Sequence, residues 1–309
     1  MLNRRDLLVA LAVASGTLAV PSIARAAGKI RIGAIASDVS AEPLYAEMQG
    51  FFRKFELEVA IQTFPNGGAI IAGVASGALD TGFANLTSIA AARQRGLPVK
   101  IVAPATLYTS KSPVTVLVKA RGSKLKTGAD LRGKTIAVST LRGELQVGAS
   151  LWIDKNGGDS TKTQFLELPF SSMSPALSNG RIDAAMITEP AMTLHKDTIE
   201  LLSDAYTAIA DEFLIGGFIA SDAWIRDNRE DARRFGAALI ETAKWANKHR
   251  SETAVFLAKS TGIDEAVVRS MTRATYGERL AVEQIQPVLD AAAKYGSLKE
   301  SMNAKELLG

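Results

Sequence analysis

The sequence predicts an α/β protein of two similar lobes, each a mostly parallel sheet flanked by helices. Two observations predict it. A phrase recurs 103 positions apart: Val74-Ala75-Ser76-Gly77-Ala78-Leu79-Asp80-Thr81-Gly82-Phe83, and Leu177-Ser178-Asn179-Gly180-Arg181-Ile182-Asp183-Ala184-Ala185-Met186. Gly77 aligns with Gly180, Leu79 with Ile182 and Asp80 with Asp183. Each copy closes an apolar helical stretch at a glycine, which can take the left-handed conformation that ends a helix. Secondly, strand-like and helix-like stretches alternate along the first hundred residues, and the alternation restarts near Leu131. That order is characteristic of a parallel sheet covered by helices.

The elements follow in order. Lys29 to Ile35 reads as a buried strand, and Pro43 to Phe55 as a helix with Leu44, Met48, Phe51, Phe52 and Phe55 on one side. Glu58 to Phe64 alternates as a second strand, which Asn66-Gly67-Gly68 breaks before a helix running to Ser76. After the first copy of the repeat, Thr87 to Arg95 is a helix and Val99 to Leu107 a strand. The β-branched run Val114 to Val118 is expected to carry the chain into a second lobe. There the strands are Leu131–Val138, Gln164–Leu168 and Ala184–Ile187, and the helices Leu145–Asn156 and Ser174–Asn179. Phe213 to Ala220 is expected to be the return strand. The remaining residues read as helices, one opened by Asn228, one by Asp264 and one spanning Val282 to Tyr295, packed outside the first lobe. The expected units are residues 27–112 with 220–309 as lobe 1, and 113–219 as lobe 2.

Residues 1–26 are expected to be an export signal. Arg4-Arg5 precedes an apolar run, Leu7 to Val20, and Ala24-Arg25-Ala26 supplies a small-residue cleavage site. The run is too short to span a bilayer, which takes about 20 residues. Asn3-Arg4-Arg5-Asp6-Leu7-Leu8 further resembles a twin-arginine signal. The exported protein should therefore begin at Ala27 on N-terminal sequencing, and a full-length product would contradict the reading. Lysines in place of Arg4 and Arg5 should block export only on the twin-arginine route.

The chain has no cysteine, so it is expected to carry neither a disulfide nor a lipid anchor. The net charge is +4 and no run of five basic residues occurs, so no nucleic-acid partner is expected. There is no Walker motif, no G-x-S-x-G and no metal-ligand spacing, so neither catalysis, cofactor nor metal is expected. His195 and His249 stand apart, without partner motifs.

Several short motifs together resemble the periplasmic substrate-binding proteins of ABC importers in the nitrate, taurine and alkanesulfonate group. They are Arg31-Ile32-Gly33, Pro43-Leu44, Phe51-Phe52 before Leu57-Glu58-Val59, Gly77-Ala78-Leu79-Asp80, Gly96-Leu97-Pro98-Val99, Asp130 to Val138, Asn179 to Ala184 and Glu189-Pro190. The resemblance covers Lys29 to about Leu257. It implies a type II periplasmic binding fold whose lobes are joined by two crossover strands and close on a small, anionic organic ligand. It also implies an ABC permease partner, a periplasmic location and a monomeric receptor. Where such proteins often carry a large aromatic residue or a glutamine after the first strand, this chain has Ala34-Ile35-Ala36-Ser37-Asp38. A ring-stacking wall is therefore not expected, and Asp38 either points away from the pocket or meets an amine.

Candidate contacts lie at the strand ends. Ser37 and Asp38 follow the first strand, where they either bind ligand or cap the next helix. Asn66, Gly67 and Gly68 follow the second, and unshielded glycine amides there can cradle an oxyanion or simply make a turn. Asn85, Thr87 and Ser88 open a helix whose dipole favours negative charge. Thr188 matches Asn85 in the repeat and Glu189 follows it, with Pro190 at a helix start. Ser139, Thr140 and Arg142 follow the strand of the restarted pattern. Arg142 is the best cationic candidate, or else a surface residue paired with Glu144. The leading expectation is a solute receptor. Alternatives are a periplasmic sensor subunit, or an enzyme on the same fold related to thiamine-pyrimidine synthesis.

Overall fold

The computed structural model describes residues 28–309, so the expected export signal lies outside the described residues. Thirteen strands occur in chain order: β1 Ile30–Ala34, β2 Val59–Thr63, β3 Thr81–Asn85, β4 Val99–Pro104, β5 Thr106–Thr109, β6 Thr115–Ala120, β7 Thr135–Val138, β8 Gln164–Glu167, β9 Ala184–Thr188, β10 Ile199–Ser203, β11 Glu212–Leu214, β12 Gly216–Ser221 and β13 Thr275–Tyr276. They form two five-stranded sheets, ordered β2-β1-β3-β12-β4 and β10-β6-β9-β7-β8, and a small third sheet, β11-β5-β13. In the first, β1 is parallel to β2 and β3, with β12 antiparallel between β3 and β4. In the second, β7 is parallel to β8 and β9, and β6 is antiparallel to β9 and β10. This is the two-lobed, helix-flanked architecture that the alternating pattern predicts.

The repeat has a physical basis. Gly77 and Gly180 both take positive φ, +76° and +72°, and so end their helices in the left-handed region. Asp80 N–H donates to the Arg31 carbonyl while its carboxylate accepts the Arg31 N–H at 2.8 Å. Asp183 does the same with Thr135, its carboxylate accepting at 2.9 Å. Each aspartate thus pins the start of its strand to the start of the parallel strand beside it. Arg31 and Lys134 add ion pairs to the same two carboxylates.

The crossings differ from expectation. Val114–Val118 mostly belongs to β6, a strand inside the second sheet, and Phe213–Ala220 divides at Ile215 into β11 and β12. The passages between sheets instead pair with each other: β5 runs antiparallel to β11, with Tyr108 opposite Phe213, and to β13, with Thr106 opposite Tyr276. These pairings join segments about a hundred or more positions apart, which local periodicity does not reveal. The expected helix Pro43–Phe55 is broken at Gly50, φ +77°, into Glu42–Gln49 and Phe51–Lys54. The helix expected from Ser174 begins earlier, at Phe170.

The 18-residue helix Arg229–Ala246 buries Phe235, Leu239 and Thr242 on its inner stripe and packs on β4, at the outer face of the first sheet. Asn228 precedes that helix, but its side chain donates back to the Trp224 carbonyl instead of capping it. Asp264 caps the helix Glu265–Ser270 through the Ala266 N–H. The last α-helix, Gln286–Lys294, touches both the helix Leu86–Gln94 and the helix Glu144–Lys155. Tyr295 just beyond it donates to Asp154 at 2.7 Å, so the C-terminal segment spans both lobes.

Candidate functional site

Parallel strands of an open α/β sheet present helix N-termini at their carboxyl ends, where ligands gather. Here the segments that follow β1 and β3 reach the ribbon β11-β5-β13. Tyr108 and Phe213 lie opposite one another with ring centroids 4.8 Å apart, and Tyr206 stands edge-on to both at 5.5 and 5.3 Å. Thr106 donates to the Val39 carbonyl of the loop after β1. Leu86 N–H, at the helix start after β3, donates to the Ile215 carbonyl at 3.0 Å.

Buried polar groups that lack partners concentrate around this ribbon. Nine of the described residues carry such side-chain oxygens. Six of them are tied to the ribbon or its immediate neighbours: Ser37, Glu42, Thr87, Glu144, Asp204 and Gln284. Ser37 lies two residues before Val39, and Thr87 follows Leu86. Asp204 accepts the Tyr108 hydroxyl at 2.6 Å through one oxygen, leaving the other unmet. Gln284 donates to Glu212 of β11 at 2.7 Å, leaving its carbonyl unmet. An unmet buried polar group costs about 1–3 kcal/mol, so the gathering of several around one ribbon marks it as the candidate site.

The two glutamates are the most unusual of the six. Glu42 begins the helix Glu42–Gln49 and is fully buried; Glu144 begins the helix Glu144–Lys155 and is 4% exposed. Neither carboxyl receives a hydrogen bond of normal geometry. Burial pushes Glu42 well above the usual carboxylate range and Glu144 up to about 8, with the Tyr206 hydroxyl beside Glu144 opposing that rise. Burial also raises the Tyr206 and Tyr276 hydroxyls, helped by the nearby charges of Glu144 and of Asp38 and Glu42 respectively.

The sequence-predicted residues fall into three groups. Ser37 and Thr87 belong to the unmet set. Asn66 and Asn85 cap their helices, accepting from Ala69 N–H at 2.9 Å and Ser88 N–H at 2.8 Å. Gly67 packs on Ala84 and Gly68 is exposed; Ser139 is half-buried and Thr140 exposed. The third group is hydrogen-bonded within the chain. Asp38 accepts from Arg273 through both oxygens at 2.9 Å, from Tyr45, from Tyr276 and from the Ala274 N–H at 2.7 Å. The amine that Asp38 meets is the protein's own guanidinium. Thr188 shares a hydrogen bond with Thr115 across the β6–β9 pair, 2.9 Å. Glu189 accepts from Thr193 twice and from Thr272 N–H at 3.1 Å, tying lobe 2 to the strand-like segment that also holds Asp38.

Arg142 is exposed, with φ +58°, and its backbone N–H donates to Gln146. It forms no ion pair with Glu144, because that carboxyl is turned inward. Sequence reasoning passed over Glu42 and read Glu144 as a surface partner. The available signal was position: each acid opens an amphipathic helix between small or apolar neighbours, Ala41-Glu42-Pro43 and Gly143-Glu144-Leu145.

Gly148, one turn beyond Glu144, seats the Tyr206 ring. A Cβ there would lie 2.6 Å from the ring. Gly148→Ala should displace Tyr206 and cost about 1–3 kcal/mol, read as a lower urea midpoint with altered near-ultraviolet dichroism. Unchanged values would mean that the ring is free to move.

A surface groove of about 500 Å³, lined by Arg93, Gly96, Pro98, Asp222 and Asn303 among others, lies at the amino ends of the first sheet's parallel strands, away from the ribbon. Among the described residues no group of three or more metal-ligating side chains occurs, and no helix is long and apolar enough to cross a membrane.

Comparison with known proteins bears on the family and the fold. The family described as NMT1/THI5 like matches residues 39–253. The protein YtlA of Bacillus subtilis (strain 168) is 21% identical over 228 residues, covering 72% of this chain and 68% of its own. The periplasmic aliphatic sulphonate binding protein SsuA of Escherichia coli superposes with TM-score 0.74 at 19% identity, over 91% of this chain and 92% of that one. The periplasmic nitrate-binding protein NrtA of Synechocystis PCC 6803 gives 0.74 at 14% identity, over 90% and 84%. These likenesses show the fold that the sequence motifs imply.

Proposed function

Because the chain belongs to the NMT1/THI5-like family, we propose that it is an extracytoplasmic receptor that captures a small organic molecule between its lobes and delivers it to an ABC permease. The observation that carries this reading is the set of unmet polar groups around the ribbon, contributed by both lobes and by the connections between them. A ligand seated there would satisfy them at once and favour the closed arrangement, and only such differential binding can drive closure. The relatives named for sulfonate and nitrate binding support a transport role. The expected signal over residues 1–26 supports a periplasmic location. The lack of any cysteine or nucleophile–histidine motif in the sequence supports binding over conversion.

The anionic ligand expected from the sequence would have to rely on Arg142 and on backbone amides at the helix starts near Gly67 and Thr87. The buried Arg273 is already paired with Asp38.

The test is a thermal-shift screen of sulfonates, carboxylates, nitrate, pyrimidines, aromatic acids and amines. A true ligand adds RT ln(1 + [L]/Kd), about 2.7 kcal/mol at a hundredfold excess over Kd. The compound that raises the melting temperature should also lower the radius of gyration in solution scattering. A bound ligand with an unchanged scattering profile would contradict closure.

A further inference from the structure

We infer that the ligand is an organic cation, an amine, amidine or guanidine, whose protonated nitrogens donate to Glu42 and Glu144. The inference rests on the receptor reading above and names the chemistry of its innermost contacts. Glu42 comes from the first lobe and Glu144 from the second, and none of their four buried carboxyl oxygens receives a hydrogen bond of normal geometry, the Tyr206 hydroxyl lying beside Glu144. Both stand against the ribbon. Glu42 lies near Tyr276, which is opposite Thr106 on β5. Glu144 lies beside Tyr206, which packs on Tyr108 two residues further along β5. In a strand, residues two apart share a face, so Thr106, Tyr108, Phe213 and Tyr276 form one floor with an acid at either end.

The buried cations that could have answered these acids are committed elsewhere. Arg273 is paired with Asp38 at 2.9 Å. Lys119 is held by Glu200 and by the Ser123 and Leu125 carbonyls. Arg250 donates to the Ala274 carbonyl. The unmet groups that remain around the ribbon are carboxyls, a side-chain carbonyl and hydroxyls. Once the carboxyls ionise, every member of that set can accept a hydrogen bond and none carries positive charge, the complement of a cation with several N–H donors. An anion placed there would gain no charged partner and would keep the two acids in their protonated form.

Titration calorimetry at pH 7 tests this with agmatine, putrescine and arginine as cationic probes, and methanesulfonate and nitrate as anionic ones. At least one cation should bind. Glu42→Gln and Glu144→Gln should each weaken it by about 10- to 100-fold, the equivalent of one charged hydrogen bond. These substitutions keep the side-chain shape and relieve a buried acid, so melting curves should show both variants folded. Binding should also release protons, read as a dependence of the measured heat on the buffer's ionisation enthalpy, because the carboxyls must ionise to meet the cation. Anion binding that survives both substitutions, with no cation bound, would overturn the inference and leave the receptor reading standing. Failure of every probe would overturn the inference, while the wider thermal-shift screen and scattering would still judge the receptor reading independently.

Discussion

Replacing Asp38 by Asn should destabilise the protein by about 3–5 kcal/mol, the range for breaking a buried ion pair by removing one partner. Asp38 is 4% exposed and Arg273 is 9% exposed, so solvent cannot take over the lost charge. The carboxylate also receives both tyrosine hydroxyls, Tyr45 and Tyr276, and the Ala274 N–H. An amide can accept only part of that set, and its own NH2 would face the guanidinium. The loss therefore combines an unpaired buried cation with unmet donors. Asp38→Asn together with Arg273→Met should cost less than the two single losses added, because the two act through one network. Urea denaturation of the three variants reads this out. A single-variant loss below about 1 kcal/mol would place the pair in the class of surface ion pairs.

The second large effect is on pH dependence. Glu144 has its folded carboxyl pushed up to about 8, against an ordinary value near 4.5. Between those values the folded state holds the proton and the unfolded state has lost it, so stability falls as pH rises. The full difference corresponds to about 3–5 kcal/mol. Glu144→Gln removes the titration. The variant should match the native chain near pH 5 and exceed it progressively toward pH 8, by a few kcal/mol in urea melts. The groups facing Glu144 do not reverse the sign: Tyr206 is held neutral by burial, and Asp204 is itself raised by burial. A native chain whose stability tracks that of the variant across this range would show that Glu144 finds a partner in solution.

The two-lobed fold was largely legible because its determinants are local. The glycine that ends a helix and the aspartate that starts the next strand sit three residues apart in each copy, and the structure gives both copies the same hydrogen bonds. The site was less legible because its determinants are distant. Asp38 and Arg273 are separated by 235 positions, and β13 joins β5 from the far end of the chain. No spacing rule links them, so the sequence leaves the partner of Asp38 open and reads the C-terminal helices as outer scaffold. Glu42 and Glu144 look like ordinary acids at helix starts, where the dipole favours them. Only the packing around them shows that both are buried and unmet. Asn66 and Asn85 illustrate the opposite case: both stand at strand ends as candidate ligand contacts, and each caps its helix through the third residue on.

The most direct test of ligand capture at the ribbon is hydrogen–deuterium exchange with and without the compound that most raises the melting temperature. The account predicts added protection in both lobes at once, over residues 37–42 and 85–88 in the first, 143–148 in the second, and 204–215 along the connection. Protection confined to one lobe, or centred on the groove at Gly96, Asp222 and Asn303, would contradict it.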